Sequence, residues 1–278
     1  MLLFFEIRLI DALINDVTGF GRCSIAVSLP IISALKVQCC FIPTAILSNH
    51  TGFNNFFFED YTSKMTEYIN NWEILGLNFD GICTGFLGSK EQIKIVVEFL
   101  EKFKTKDNIV LIDPVMGDYG KLYSTYTDEM CKEMQNLIKY ADVLTPNLTE
   151  LCRLLDLAYP SQTPSHEELH MLCKKLSLQG PKKIVITGLQ RQGLIENFIF
   201  ESDKPYSVIK VEKIGIDRSG TGDVFSSIVS ASIVKSESLY SSVEKATTFI
   251  SKCLKFTTEL DLPENQGVCF EEFLTELK

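Results

Sequence analysis

Short runs of nearly continuous apolar residues alternate along this chain with longer segments whose apolar positions recur every three to four residues. The runs at 9–14, 37–43, 81–84, 109–113, 142–145 and 183–187 predict strands. The segments at 23–35, 61–75, 90–103, 128–140 and 165–178 predict amphipathic helices. Strands this apolar are expected where helices cover both faces of a sheet. Their alternation with helices implies right-handed crossovers and a parallel sheet. The pattern changes after residue 187. Runs at 194–200 and 206–211 predict hairpin-style strands at a sheet edge, followed by a glycine turn and helical segments near 222–235, 240–258 and 269–277. Pro30, inside the first helical pattern, predicts a kink or an early stop. No linker, repeat or low-complexity tract interrupts the series, so residues 1–278 are expected to form one α/β domain.

Composition narrows this picture. At 278 residues and 45% hydrophobic, the chain can bury a substantial core. A net charge of −9 argues against nucleic acid or an anionic membrane surface as the main partner. It leaves room for a small anionic substrate, because a local site can oppose the global sign. The nine cysteines form no C-x-x-C pair, and several lie in apolar runs. They read as small buried hydrophobes of a reducing compartment, so a cytoplasmic location is expected. The opening Met1-Leu2-Leu3-Phe4-Phe5 is broken by Glu6, Arg8 and Asp11, which argues against a signal peptide. No stretch has the length of a membrane span. The sequons at Asn49 and Asn147 are idle in a cytoplasmic protein.

Ligands of such sheets bind beyond the carboxyl ends of the strands, and the polar clusters fall there. The first strand leads into Asn15-Asp16 and then Gly19-Phe20-Gly21. The strand ending at Asp113 runs into Pro114-Val115-Met116-Gly117-Asp118. The strand ending at Thr145 runs into Pro146-Asn147, with Glu150 three residues on, and the strand ending at Thr187 meets Gly188. Asp113, Asp118, Asn147 and Glu150 are oxygen donors of the kind Mg²⁺ prefers when it also holds nucleotide phosphates. Taken singly, Asp113-Pro114 is also an ordinary strand-ending turn, and Asn147 an ordinary cap for a helix at 148–155.

Ser219-Gly220-Thr221-Gly222-Asp223, followed by an apolar helical stretch, carries the most information. It places a glycine-bracketed turn and a carboxylate at a helix mouth, where unpaired N–H groups and the helix dipole attract negative charge. Charge builds on a phosphoryl group during transfer. Asp223, in the first turn, is placed to accept a proton from an attacking hydroxyl. The same residues also serve as plain capping chemistry.

Together these segments resemble the ribokinase-like superfamily and, within it, the pyridoxal/pyridoxamine kinase branch. The matching runs are Asn15-Asp16-Val17-Thr18-Gly19-Phe20-Gly21-Arg22-Cys23-Ser24, Leu47-Ser48-Asn49-His50-Thr51-Gly52, Thr84-Gly85-Phe86-Leu87-Gly88-Ser89, Asp113-Pro114-Val115-Met116-Gly117-Asp118, Thr145-Pro146-Asn147-Leu148-Thr149-Glu150 and Gly220-Thr221-Gly222-Asp223. They occur in family order between residues 10 and 260. The resemblance implies a three-layer ribokinase-like fold and ATP-dependent phosphorylation of the 5′-hydroxymethyl group of pyridoxal, pyridoxine or pyridoxamine. It implies Asp223 as base and the Gly220, Thr221 and Gly222 turn as anion hole. It implies Asp113, Asp118, Thr145 and Glu150 around Mg²⁺ and a monovalent cation such as K⁺. Asp118, Asn147, Thr187, Tyr123 and the two glycines would hold ATP, with Tyr123 in a flap. Asn15, Ser48, Thr51 and Phe86 would line the vitamer pocket, with Phe86 against the ring. A homodimer is implied as well. Better-known members carry Ser where Asn15 stands and Tyr where Phe86 stands.

Two alternatives of function remain beside this one: a hydroxymethylpyrimidine kinase of the same superfamily, and a non-catalytic pyridoxal-phosphate carrier. His166-Glu167-Glu168-Leu169-His170 matches the H-E-x-x-H zinc-protease pattern. Pro164 and Ser165 mark it instead as the polar first turn of a surface helix, and only His50 remains as a further histidine. The cluster Phe53, Phe56, Phe57 and Phe58 fits either a wall or dimer face or a loop tucked into the core.

Overall fold

The computed structural model describes residues 8–277. The opening run from Met1 to Phe5, weighed above as a signal peptide, lies outside the described residues. Strands β1 (Ile10–Phe20), β2 (Gln38–Asn49), β3 (Phe58–Asp60), β4 (Gly81–Thr84) and β5 (Ile109–Ile112) are followed by the short hairpin β6 (Gly117–Asp118) and β7 (Lys121–Leu122). Then come β8 (Val143–Leu144), β9 (Lys183–Arg191), β10 (Leu194–Glu201) and β11 (Ser207–Glu212). All but the small hairpin join one sheet in the order β11-β10-β9-β8-β5-β4-β1-β2-β3. The centre is parallel from β2 to β9. The expected antiparallel edge is present as β9-β10-β11, and a second one, unforeseen, as β2-β3.

Strand alternation sorts the core into two layers. Ala12, Ile14, Ile82, Val110, Ile112, Leu144, Ile184 and Ile186 face one way. They pack against α2 (Thr62–Ile74), α3 (Lys90–Phe103), α4 (Asp128–Leu137), α5 (Leu148–Leu154) and α6 (His166–Ser177). Leu13, Cys83, Leu111, Val143 and Val185 face the other way, onto α1 (Ile25–Ala34), α7 (Thr221–Val234) and α8 (Leu239–Glu259). Burial on both faces is why these strands read as continuous apolar runs. Helix starts follow their caps: the side chains of Ser89, Thr127 and Ser238 accept N–H groups of the first turn, while Asn147 and Ser165 form capping boxes with Glu150 and Glu168.

One expectation needs correction, and at two further places one of the alternatives left open is excluded. α1 runs through Pro30 to Ala34 and does not stop early. The full burial of Ile31, Ile32 and Leu35 outweighs the lost backbone bond. β1 extends to Phe20 rather than ending near residue 14, because its polar tail keeps pairing with β2 beyond a register shift between Asn15 and Val17. The phenylalanine cluster is not tucked into the core: Phe56, Phe57 and Phe58 are exposed at the β3 edge, and Phe53 leans on Phe20 and His50. All nine cysteines are free and mostly buried, as expected. No described helix is long and apolar enough to cross a membrane.

α7 is buried almost all round from Val224 to Val234, including four serines. One of them, Ser230, donates its hydroxyl to Asp11 Oδ2 on β1 at 2.7 Å, while Asp11 Oδ1 finds no partner. Burial, reinforced by the nearby Asp80, pushes Asp11 up to about 7 from an ordinary 3.8. The folded chain thus keeps a proton that the unfolded chain releases across that window, and stability falls as pH rises from about 4 to 7. Asp11→Asn, which keeps an acceptor for Ser230, removes this slope. Urea unfolding of both proteins across that range is expected to show the variant gaining on the parent as pH rises.

Candidate active site

The chain leaves β1 to one side towards β2 and returns on the other side at β4, so the topological switch point lies between β1 and β4. A cleft of about 920 Å³ opens there and runs along the carboxyl ends of β1, β4, β5, β8 and β9. Its floor is the N-terminus of α7. Gly220 caps that helix with φ 80°, in the left-handed region, and a Cβ placed on it would lie 2.0 Å from the Arg22 carbonyl oxygen. Glycine is therefore required by both conformation and space. A Cβ at Gly222 would meet nothing within 4 Å, since this residue faces the open cleft.

Of the residues anticipated from the sequence, Asn15, Thr51, Phe86, Asp113, Asp118, Tyr123, Thr145, Asn147, Glu150, Thr187 and the run from Gly220 to Asp223 all line this one cleft. Ser48 does not. Its hydroxyl donates to Asn49 Oδ1 at 2.7 Å and accepts from the Phe57 N–H at 2.9 Å, while Leu47 lines the cleft. The phase of strand alternation in β2, set by its register with β1, turns Ser48 away.

Carboxylates dominate the electrostatics. Asp223 is half-buried, and burial with the neighbouring Asp16 carboxylate pushes it up to about 6, against the opposing hydrogen bonds of Ser24 and Asn15. Burial and nearby carboxylates, Asp223 beside Asp113 and Asp113 beside Glu150, raise both Asp113 and Glu150. Glu150 is pinned by two backbone donors, Met116 N–H at 3.0 Å and Asn147 N–H at 2.8 Å. Asn147 caps α5 through Oδ1 and donates Nδ2 to the Gly117 carbonyl at 2.8 Å, so the cap also fixes the base of the β6–β7 hairpin. Thr145 Oγ1 is buried without a partner. Among the described residues no three of His, Cys, Asp and Glu converge into a ready-made metal cage. A cation here would share its coordination with phosphates, which suits Mg²⁺.

Two sets of contacts escaped the sequence reading, which set Tyr123 in a flap formed by the loop 118–127 without indicating what that loop touches. The tip of the β6–β7 hairpin reaches over the cleft: the Tyr119 hydroxyl donates to Asp217 and accepts from Gln190 Nε2 at 2.8 Å. In addition, three side chains from three separate site loops grip carbonyls of one C-terminal segment. Arg218 Nη1 reaches Pro263 O at 3.1 Å, His50 Nε2 meets Asn265 O at 2.8 Å, and Arg22 Nη1 reaches Gln266 O at 3.1 Å. His50 stood in a matched motif; nothing in the sequence marked its backbone partner. The H-E-x-x-H pair lies elsewhere, on α6. His166 bonds Glu196 at 2.7 Å and His170 packs on Phe200 and Tyr206, the surface-helix outcome.

Comparison with known proteins places this geometry. The profile of the phosphomethylpyrimidine kinase family matches residues 25–268. The pyridoxal kinase PdxY of Histophilus somni is 25% identical over 259 residues, covering 88% of this chain and 87% of that protein. A pyridoxal kinase of Arabidopsis thaliana is 29% identical over 194 residues, covering 66% and 60%. A crystal structure from Bacteroides thetaiotaomicron, assigned to the phosphomethylpyrimidine kinases and holding pyridoxal, superposes with a TM-score of 0.94 at 36% identity over 97% of this chain and 96% of that one. The pyridoxal kinase of Lactobacillus plantarum shares the fold, with a TM-score of 0.89 at 23% identity over 98% and 97%. The chain belongs to the phosphomethylpyrimidine kinase family, among kinases of the phosphomethylpyrimidine/pyridoxal kinase type.

The two glycines of the turn separate cleanly by experiment. Gly220→Ala is expected to lose about 1–3 kcal/mol through strain and its clash with Arg22. Gly222→Ala is expected to keep or slightly raise stability, because alanine loses roughly 0.5–1 kcal/mol less chain entropy in a helix. Chemical denaturation of the two variants checks this; equal losses would contradict the packing described.

Proposed function

We propose that this protein transfers the γ-phosphoryl group of MgATP to the 5′-hydroxymethyl group of a vitamin B6 vitamer, acting as a single cytoplasmic ribokinase-like domain. One observation carries the reading: Asp223 stands in the first turn of α7, beside the open N-terminus at Gly220–Gly222, and lines the same cleft as Phe86. Phosphoryl transfer needs alignment and charge neutralisation more than covalent help. The N–H groups of the glycine turn offset the charge that develops on the transferred group. Asp223 takes the proton of the attacking alcohol as the new bond forms. Of the residues lining the cleft, Phe86 and Thr51 would hold the vitamer, and Asn147, Thr187 and Tyr123 the triphosphate.

Asp113, Asp118, Thr145 and Glu150 fit a Mg²⁺ ion with an accompanying K⁺. Buried carboxylates that repel one another, and a buried hydroxyl without a partner, gain what they lack from a cation. When bound, Mg²⁺ supplies charge neutralisation on the phosphates. The exposed Phe56, Phe57 and Phe58 at the β3 edge offer a face for a homodimer.

A substrate panel tests the reading. Pyridoxal, pyridoxine, pyridoxamine and hydroxymethylpyrimidine are offered with MgATP, and ADP release is followed. Turnover of a B6 vitamer is expected. Turnover of the pyrimidine alone favours the related kinase activity, as in the Aquifex aeolicus relative named hydroxymethylpyrimidine/phosphomethylpyrimidine kinase, 28% identical over 183 residues. Tight pyridoxal binding without ADP release favours a carrier. In the same assay Asp223→Asn is expected to lower kcat by roughly 10²–10⁴.

A further inference from the structure

Asn15 is 2% exposed, and its amide has almost no freedom. Its Oδ1 accepts two backbone N–H groups, from Asp16 at 3.0 Å and from Phe86 at 2.9 Å. Backbone N–H groups only donate, so they fix which end of the amide is oxygen and which is nitrogen. The nitrogen is thereby aimed at Asp223, and Nδ2 donates to Asp223 Oδ1 at 3.1 Å. The chain is shaped around this contact. β1 shifts register between Asn15 and Val17, a local irregularity of the kind that re-aims a side chain. Gly85 leaves room behind the amide, where a Cβ would lie 2.5 Å from Asn15 Nδ2. Phe86 is tied from its other side as well, because Thr44 Oγ1 donates to its carbonyl at 3.0 Å.

We propose that Asn15 is a positioning residue: one locked amide joins the backbone that carries the Phe86 ring to the Asp223 carboxylate, and so sets the base in register with the alcohol of a substrate lying on that ring. This rests on the reading of Asp223 as base, but gives Asn15 a different task from lining the vitamer pocket. With both oxygen lone pairs engaged, Asn15 has no acceptor to offer a vitamer. Its one strong contact to a reacting group is the donation to Asp223. Misplacement of a reacting group by about 1 Å lowers rates by as much as ~10²-fold.

Asn15→Asp is the sharpest test. It is isosteric and keeps an oxygen for the N–H groups of Asp16 and Phe86, while replacing the donor to Asp223 with an acceptor. Steady-state kinetics with pyridoxal and MgATP are compared for the parent, Asn15→Asp, Asp223→Asn, the double variant, and Gly85→Ala. The last crowds the same amide from behind and keeps the test open should Asn15→Asp not fold. The expected result is a fall in kcat of up to ~10²-fold in Asn15→Asp and Gly85→Ala, with KM for both substrates little changed. The double variant is expected to be no slower than Asp223→Asn alone, since residues acting through one group are not additive. A raised KM for pyridoxal with kcat preserved would make Asn15 a vitamer ligand and overturn the proposal. So would losses that multiply in the double variant. Normal turnover of Asp223→Asn overturns the base assignment and this proposal with it, whereas normal turnover of Asn15→Asp and Gly85→Ala beside a slow Asp223→Asn overturns the proposal alone.

Discussion

The buried pairing of β1 with α7 fixes where this protein can do chemistry. These elements are joined at two points, by Asn15 to Asp223 and by Asp11 to Ser230, across 208 and 219 residues of sequence. The order of the contacts makes the helix antiparallel to the strand. Its N-terminus therefore arrives at the carboxyl edge of the sheet, where β1 and β4 part to form the crevice. A helix docked in the other sense would bring its C-terminal dipole to that edge and repel a phosphate. Everything else in the site is arranged around this placement.

The remaining loops are gathered rather than merely adjacent. The backbone carbonyls of Pro263, Asn265 and Gln266 accept from Arg218, His50 and Arg22, which belong to the loop before the glycine turn, the loop after β2 and the loop after β1. Gly267, with φ 76°, lets this segment press against Gly21, whose carbonyl oxygen would lie 2.4 Å from a Cβ there. On the opposite rim the hairpin β6–β7 is anchored at its base by Asn147 and reaches Asp217 at its tip. In the proposed function, an acidic chain assembles a site for anions from backbone N–H groups, with its own carboxylates set back to act as base and cation ligands. The opposing signs are local, and the net charge of −9 does not describe the cleft.

Much of this was legible in the sequence, and the reasons are specific. β4 and α3 match their expected bounds, because doubly buried strands and capped amphipathic helices leave strong local patterns. The glycine turn at the mouth of α7 was legible because a left-handed cap beside another backbone demands glycine. The reading faltered where tertiary pairing overrode local pattern. The tail of β1 is polar and reads as loop, yet β2 holds it as strand. β3 is only three residues long. The hairpin turn at Tyr119-Gly120 takes positive φ at both residues, and a tyrosine gives little hint of that. Ser48 was misplaced because a strand's inward face depends on register, which a motif does not contain. The segment at 263–267 was invisible, since it offers carbonyl groups, and every residue has one.

The proposed chemistry depends on one cleft holding a triphosphate and an alcohol at the mouth of α7. A crystal structure of this chain with pyridoxal and a non-hydrolysable MgATP analogue measures that directly. The terminal phosphate is expected within hydrogen-bond reach of the N–H groups at Gly220–Gly222, with the vitamer's 5′-hydroxyl on Asp223 and its ring against Phe86. A phosphate bound away from that turn, or a vitamer whose hydroxyl points away from Asp223, would contradict it.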